Sequence, residues 1–108
     1  METRVCNKLV KGSVVYIYNI NEQYIQIKED LPENGGKGGT FSKKCFSFGE
    51  LNNFLNSLNG NSFVPLQITA CFGISCSNTG SMLTAILIDC GVVEKIRQGE
   101  YRATARRL

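Results

Sequence analysis

The chain has 108 residues, of which 43% are hydrophobic, with a net charge of +3 and no histidine. That length gives room for one domain with one core, and no run of eighteen apolar residues marks a membrane span. The N-terminus METRVCNKLVKG lacks the apolar block of a secretory signal, so the expected compartment is the cytoplasm. A mild positive charge permits a polyanionic partner without demanding one.

Strands come first. GSVVYIY and YIQIK, between about Leu9 and Lys28, are rich in β-branched and aromatic residues, and the polar link Asn19–Gln23 between them predicts an antiparallel hairpin. Alternation along the strands puts Val15, Ile17, Ile25 and Ile27 on one face. Tyr16, Tyr18 and Tyr24 then share the other, as a cover for the sheet, a stacking platform for bases or a contact with a partner. Residues 31–46 follow as a glycine-rich loop. Its run Gly35-Gly36-Lys37-Gly38-Gly39-Thr40 departs from the phosphate-loop order, in which lysine and then Ser/Thr follow the last glycine. A linker is the simpler reading.

Ser47-Phe48-Gly49-Glu50 fits a capping box, and Leu51, Phe54, Leu55 and Leu58 make one apolar stripe of a first helix. Asn59-Gly60 ends it. A second helix is expected from near Phe63, with Ser62 as its cap and Pro65 in its first turn. Leu66, Ile68 and Phe72 supply its apolar surface and Gly73 stops it. The third helix carries a stripe of Leu83, Ile86, Leu87 and Cys90, with Asn78, Ser81 and Ala85 expected on the other side. Ile88 is left partly exposed, for a subunit contact or for packing on the N-terminal part. Leu55, Leu83, Leu87, Val92 and Tyr101 are expected to meet in one core cluster.

A ribbon closes the chain. A two-residue loop at Gln98-Gly99 pairs Arg97 with Glu100, Ile96 with Tyr101 and Lys95 with Arg102. Ile96, Tyr101 and Ala103 then face inward. Lys95, Arg97, Glu100 and Arg102 face outward with a net +2, and Arg106 and Arg107 follow.

There are five cysteines at irregular spacing. An odd count without an export signal implies reduced thiols, and Cys71 and Cys90 fall at core-facing helical positions. Zinc is the alternative, but a CxxC pair and histidine are both missing. Neither a catalytic acid–base pair nor a dinucleotide fingerprint is visible, so neither an enzyme nor a cofactor is expected.

Three helices followed by a ribbon give residues 47–104 the order of a winged helix-turn-helix domain. GISCSNTGSMLTAILIDCG resembles the turn and recognition helix of that family, and GVVEKIRQGEYRAT resembles the helix end running into a basic wing. The resemblance implies an α+β fold in which an N-terminal hairpin (1–30) and the loop (31–46) precede the winged helix, and a basic tail (105–108) follows it. It also implies sequence-specific binding of double-stranded DNA by a homodimeric transcriptional or replication regulator. Asn78, Thr79 and Ser81 would lie at base edges, and Lys95, Arg97, Arg102, Arg106 and Arg107 on phosphates. Because the third helix has no lysine or arginine, the competing expectation is a protein-binding winged helix, such as a phage or mobile-element inhibitor or adaptor. Such a module would hold its partner through Tyr16, Tyr18, Tyr24 and Ile88.

Overall fold

In the computed structural model, residues 2–7, 15–30, 45–73 and 77–108 are described, the side chains of residues 7, 15, 16, 28–30, 77 and 78 excepted. The glycine-rich run of residues 35–40 and Cys76 lie outside the described residues. The order is β1 (Glu2–Asn7), β2 (Val15–Ile20), β3 (Tyr24–Asp30), β4 (Cys45–Ser47), α1 (Phe48–Ser57), α2 (Pro65–Cys71), α3 (Ser77–Asp89), β5 (Val93–Arg97) and β6 (Glu100–Ala103). The fold is α+β, with three helices and two antiparallel sheets.

The expected hairpin is the centre of a four-stranded sheet, β1-β2-β3-β4. Its two outer strands went unread in the sequence for physical reasons. ETRVCN mixes polar and apolar residues as edge strands do, and CFS is only three residues long. The face assignment also needs correcting. Partners in an antiparallel pair share a face, and Ile20 stands opposite Ile25 and Tyr18 opposite Ile27. Even-numbered residues of β2 therefore join odd-numbered residues of β3. The inner face is Cys6, Tyr18, Ile20, Ile25, Ile27 and Phe46, all buried, while Ile17 is half-buried.

Ser47 ends β4 and caps α1, its Oγ accepting the Glu50 N–H at 3.1 Å. The α1 stripe is buried as expected, and the helix runs out through Asn59 and Gly60 in the left-handed region, at φ 51° and 82°. Helix α2 begins later than expected. Phe63 is instead bridged to Tyr101, donating its N–H at 2.7 Å and accepting at 2.9 Å. Pro65 opens the helix, and the Gln67 side chain caps it by accepting the Val64 N–H. Ile68 is buried, but Leu66 is 65% exposed, and Cys71 is exposed where a core position was expected.

Helix α3 is the hub. It packs against α2, β1, β2 and β5, and from Thr79 to Leu87 every residue but Ser81 is buried. A helix enclosed on most sides needs no polar stripe. Ala85, expected on the other side, is accordingly 3% exposed, and Met82 is 2% exposed. The core cluster of Leu55, Leu83, Leu87, Val92 and Tyr101 is buried as expected.

The ribbon turns at Gln98-Gly99, but the register shifts between Lys95 and Arg97. Lys95 stands opposite Tyr101 and Glu94 opposite Arg102. Ile96 is consequently 45% exposed instead of facing inward.

Candidate nucleic-acid interface

The ribbon and the residues after it gather the charge, the ribbon alone carrying a net +1. Glu94–Arg107 contains Lys95, Arg97, Arg102, Arg106 and Arg107 against Glu94 and Glu100, a net +3. The chain as a whole is +3, so its other residues balance to zero. Within the ribbon the shifted register brings Glu94 to Arg102, while Arg97 keeps its expected partner Glu100. Arg102 donates through two guanidinium nitrogens to one Glu94 oxygen, at 3.0 and 2.6 Å, and Arg97 pairs with Glu100 at 2.7 Å. The Arg97 hydrogen bond lowers the Glu100 carboxyl below its usual range. Arg97, Arg102 and Glu94 are exposed and Glu100 is half-buried, and ion pairs so open to solvent are worth at most about 1 kcal/mol. Lys95 donates to Gln98 at 2.9 Å and has no carboxylate partner among the described residues.

Arg106 and Arg107 are not a free tail. The Arg106 guanidinium lies over Gly91, where a Cβ would meet its Nη1 at 3.2 Å. Arg107 donates to Asn56 Oδ1 at 2.8 Å and to two backbone carbonyls. Asn52, one turn earlier on α1, holds the Leu108 backbone in both directions, at 3.1 and 3.2 Å. The spacing of Asn52 and Asn56 marks one polar row on α1, but nothing in sequence says what the row grips. Arg107 therefore belongs to the α1 side of the molecule and leaves the expected phosphate set.

The expected base-reading residues divide. Thr79 is fully buried and its Oγ1 has no hydrogen-bond partner among the described residues, so it cannot reach a base edge. The reason is the α2–α3 crossing, where the glycine after it, Gly80, sits against Pro65 and Thr69. Ser81 is half-buried. The side chain of Asn78 lies outside the described residues.

The expected partner face separates as well. Tyr18 is buried, and its hydroxyl donates to Asp89 at 2.5 Å. Burial, then that hydrogen bond, pushes the phenol far above its usual range. Burial likewise pushes the neighbouring Cys90 thiol up. Tyr24 is half-buried on the opposite sheet face, the side chain of Tyr16 lies outside the described residues, and Ile88 packs against the core. No shared tyrosine surface exists among the described residues, because turn register and not alternation alone decides which strand faces combine.

No helix among the described residues is long and apolar enough to cross a membrane. Comparison with family models, curated proteins and solved structures finds no match.

Proposed function

We propose that this chain binds double-stranded DNA through the β5–β6 ribbon, as a winged-helix-like regulator working as a homodimer. One observation carries the reading: even with Arg107 set aside, Glu94–Arg106 keeps a net +2, and its four cations Lys95, Arg97, Arg102 and Arg106 are all exposed. Duplex affinity comes first from phosphate neutralisation, and the exposed cations Lys95, Arg97, Arg102 and Arg106 suit that work. Supporting it are the order of three helices before a ribbon and the Phe63 bridge that ties the ribbon to the start of α2. Base reading is confined to the first turn of α3, at Asn78 and Ser81, and sequence preference is correspondingly modest.

Fluorescence anisotropy on a random duplex at several salt concentrations tests this. Four phosphate contacts give a log–log salt slope of about −3.6 per monomer. Arg97→Ala with Arg102→Ala should flatten the slope by about two. Glu94→Gln with Glu100→Gln removes the competing acids and should tighten binding severalfold. Retention unchanged by both double variants refutes the reading, and enrichment from a random duplex library measures any base preference. The second reading, a protein-binding module, is favoured by one observation. Val64, Leu66 and Ile96 are 42%, 65% and 45% exposed, as apolar anchors for a protein would be. Salt-insensitive capture of a stoichiometric protein from nuclease-treated lysate would select it.

A further inference from the structure

A cleft of about 720 Å3 lies where the four-stranded sheet, the first residue of α1, the end of α3 and the chain's last residues meet. The charged side chains of its lining are Glu2, Arg4, Glu22 and Arg107, which sum to zero. The four are not equivalent. Glu2 and Arg4 neutralise each other at 3.0 Å. Glu22 and Arg107 have no ion pair among the described residues.

Both unpaired charges stand on fixed supports. Arg107 is seated by three hydrogen bonds, from Nε to Asn56 and from Nη1 to the Thr104 and Arg106 carbonyls, which leaves its Nη2 donors uncommitted. Glu22 sits in a turn that Asn21 closes by accepting the Gln23 and Tyr24 N–H groups at 2.7 and 2.8 Å. The lining also includes apolar Ile20, Phe48 and Leu108. The volume lies within the range of small-molecule sites, which pair apolar walls with a few placed polar groups.

We infer that this cleft binds a small zwitterion of the α-amino-acid type, its carboxylate on Arg107, its ammonium on Glu22 and an apolar side chain on Ile20 and Phe48. A lining with no net charge gives a polyanion such as DNA no advantage. A ligand carrying one charge leaves the opposite charge of the cleft unmatched. Fixed supports reduce the ordering cost of binding. The site is independent of the ribbon, and it stands or falls separately from DNA binding.

The test is an NMR titration of the whole chain with L-phenylalanine, L-leucine and L-valine. N-acetyl-L-phenylalanine, phenethylamine and inorganic phosphate serve as comparisons. At least one amino acid should give saturable shifts at the amides of Asn21–Gln23 and Leu108. Each comparison compound should bind at least about tenfold more weakly, the worth of one charge-assisted hydrogen bond. Glu22→Gln and Arg107→Gln should each weaken binding about tenfold with thermal stability little changed. Asn56→Ala, which unseats the guanidinium but keeps its charge, should weaken binding by less. If no amino acid saturates, or if a comparison compound binds equally well, the inference is overturned. Binding unaffected by both Glu22→Gln and Arg107→Gln overturns it too.

Discussion

Replacing Gly80 with alanine tests the α2–α3 crossing directly. In an open helix the change is favourable by about 1 kcal/mol, because alanine is the better helix former. Here the new Cβ would lie 2.3 Å from Thr69 Oγ1 and 2.6 Å from the Pro65 carbonyl oxygen. The threonine can rotate away, at the expense of its bond to Pro65 O. The carbonyl is backbone, so α2 must retreat by roughly 0.8 Å to bring 2.6 Å out to the ordinary 3.4 Å. Overpacking of this kind costs about 2–3 kcal/mol, which leaves a net loss of about 1–2 kcal/mol. For a domain of this size that lowers Tm by about 4–16 °C. Urea and thermal unfolding followed by circular dichroism measure it. Thr69→Ala with Gly80→Ala should recover only part of the loss, since the carbonyl remains. Gly49→Ala is the matched control, because nothing lies within 4 Å of a Cβ there, and it should stabilise by up to about 1 kcal/mol. A Gly80→Ala protein as stable as the wild type refutes the close crossing.

Three further outcomes are expected. Leu87→Ala, at a fully buried position, should destabilise by about 2–5 kcal/mol in urea unfolding, and a loss under about 0.5 kcal/mol would show a surface residue. The raised Tyr18 phenol contributes stability that is complete below the free phenol's pKa of about 10 and is lost as pH climbs above it. Tm measured from pH 8 to 11 should therefore fall less steeply for Tyr18→Phe, although that variant starts lower because Asp89 loses its donor; parallel curves would contradict this. Iodoacetamide at pH 8, read by mass spectrometry, should modify exposed Cys45 and Cys71 well before buried Cys6 and the raised thiol of Cys90. Equal rates would show that neither burial nor the thiol shift protects them.

What the sequence made legible was local. The Ser47 cap, the α1 stripe, the Asn59-Gly60 exit and the Gly99 turn all rest on contacts within a few residues, and all are present. What it hid depends on which segments meet. One bulge in β5 turned Ile96 outward and set Glu94 against Arg102, changing an unopposed basic strip into a partly neutralised one. One turn register sent Tyr18 into the core. Helix α3 shows the same limit. Its strongest apolar stripe was read correctly, but that α2, two strands and the ribbon all pack on it follows from topology, which removed Thr79 from any outward role. Of the candidate site, the cations and the Arg97–Glu100 pair were visible in the sequence, while the Glu94 partner of Arg102 and the anchoring of Arg107 were not.

The junction at Ser47 has a consequence for how the molecule breathes. This residue pairs with Tyr24 as the last rung of the sheet, and its hydroxyl closes the first turn of α1. The next N–H, of Phe48, reaches back to the Gln23 carbonyl at 2.8 Å. No flexible joint separates strand from helix, so β4 cannot peel away without uncapping α1. Amide exchange at Phe48 and Glu50 should then follow the opening of the β3–β4 edge as one cooperative unit, and not the fraying of an independent helix end.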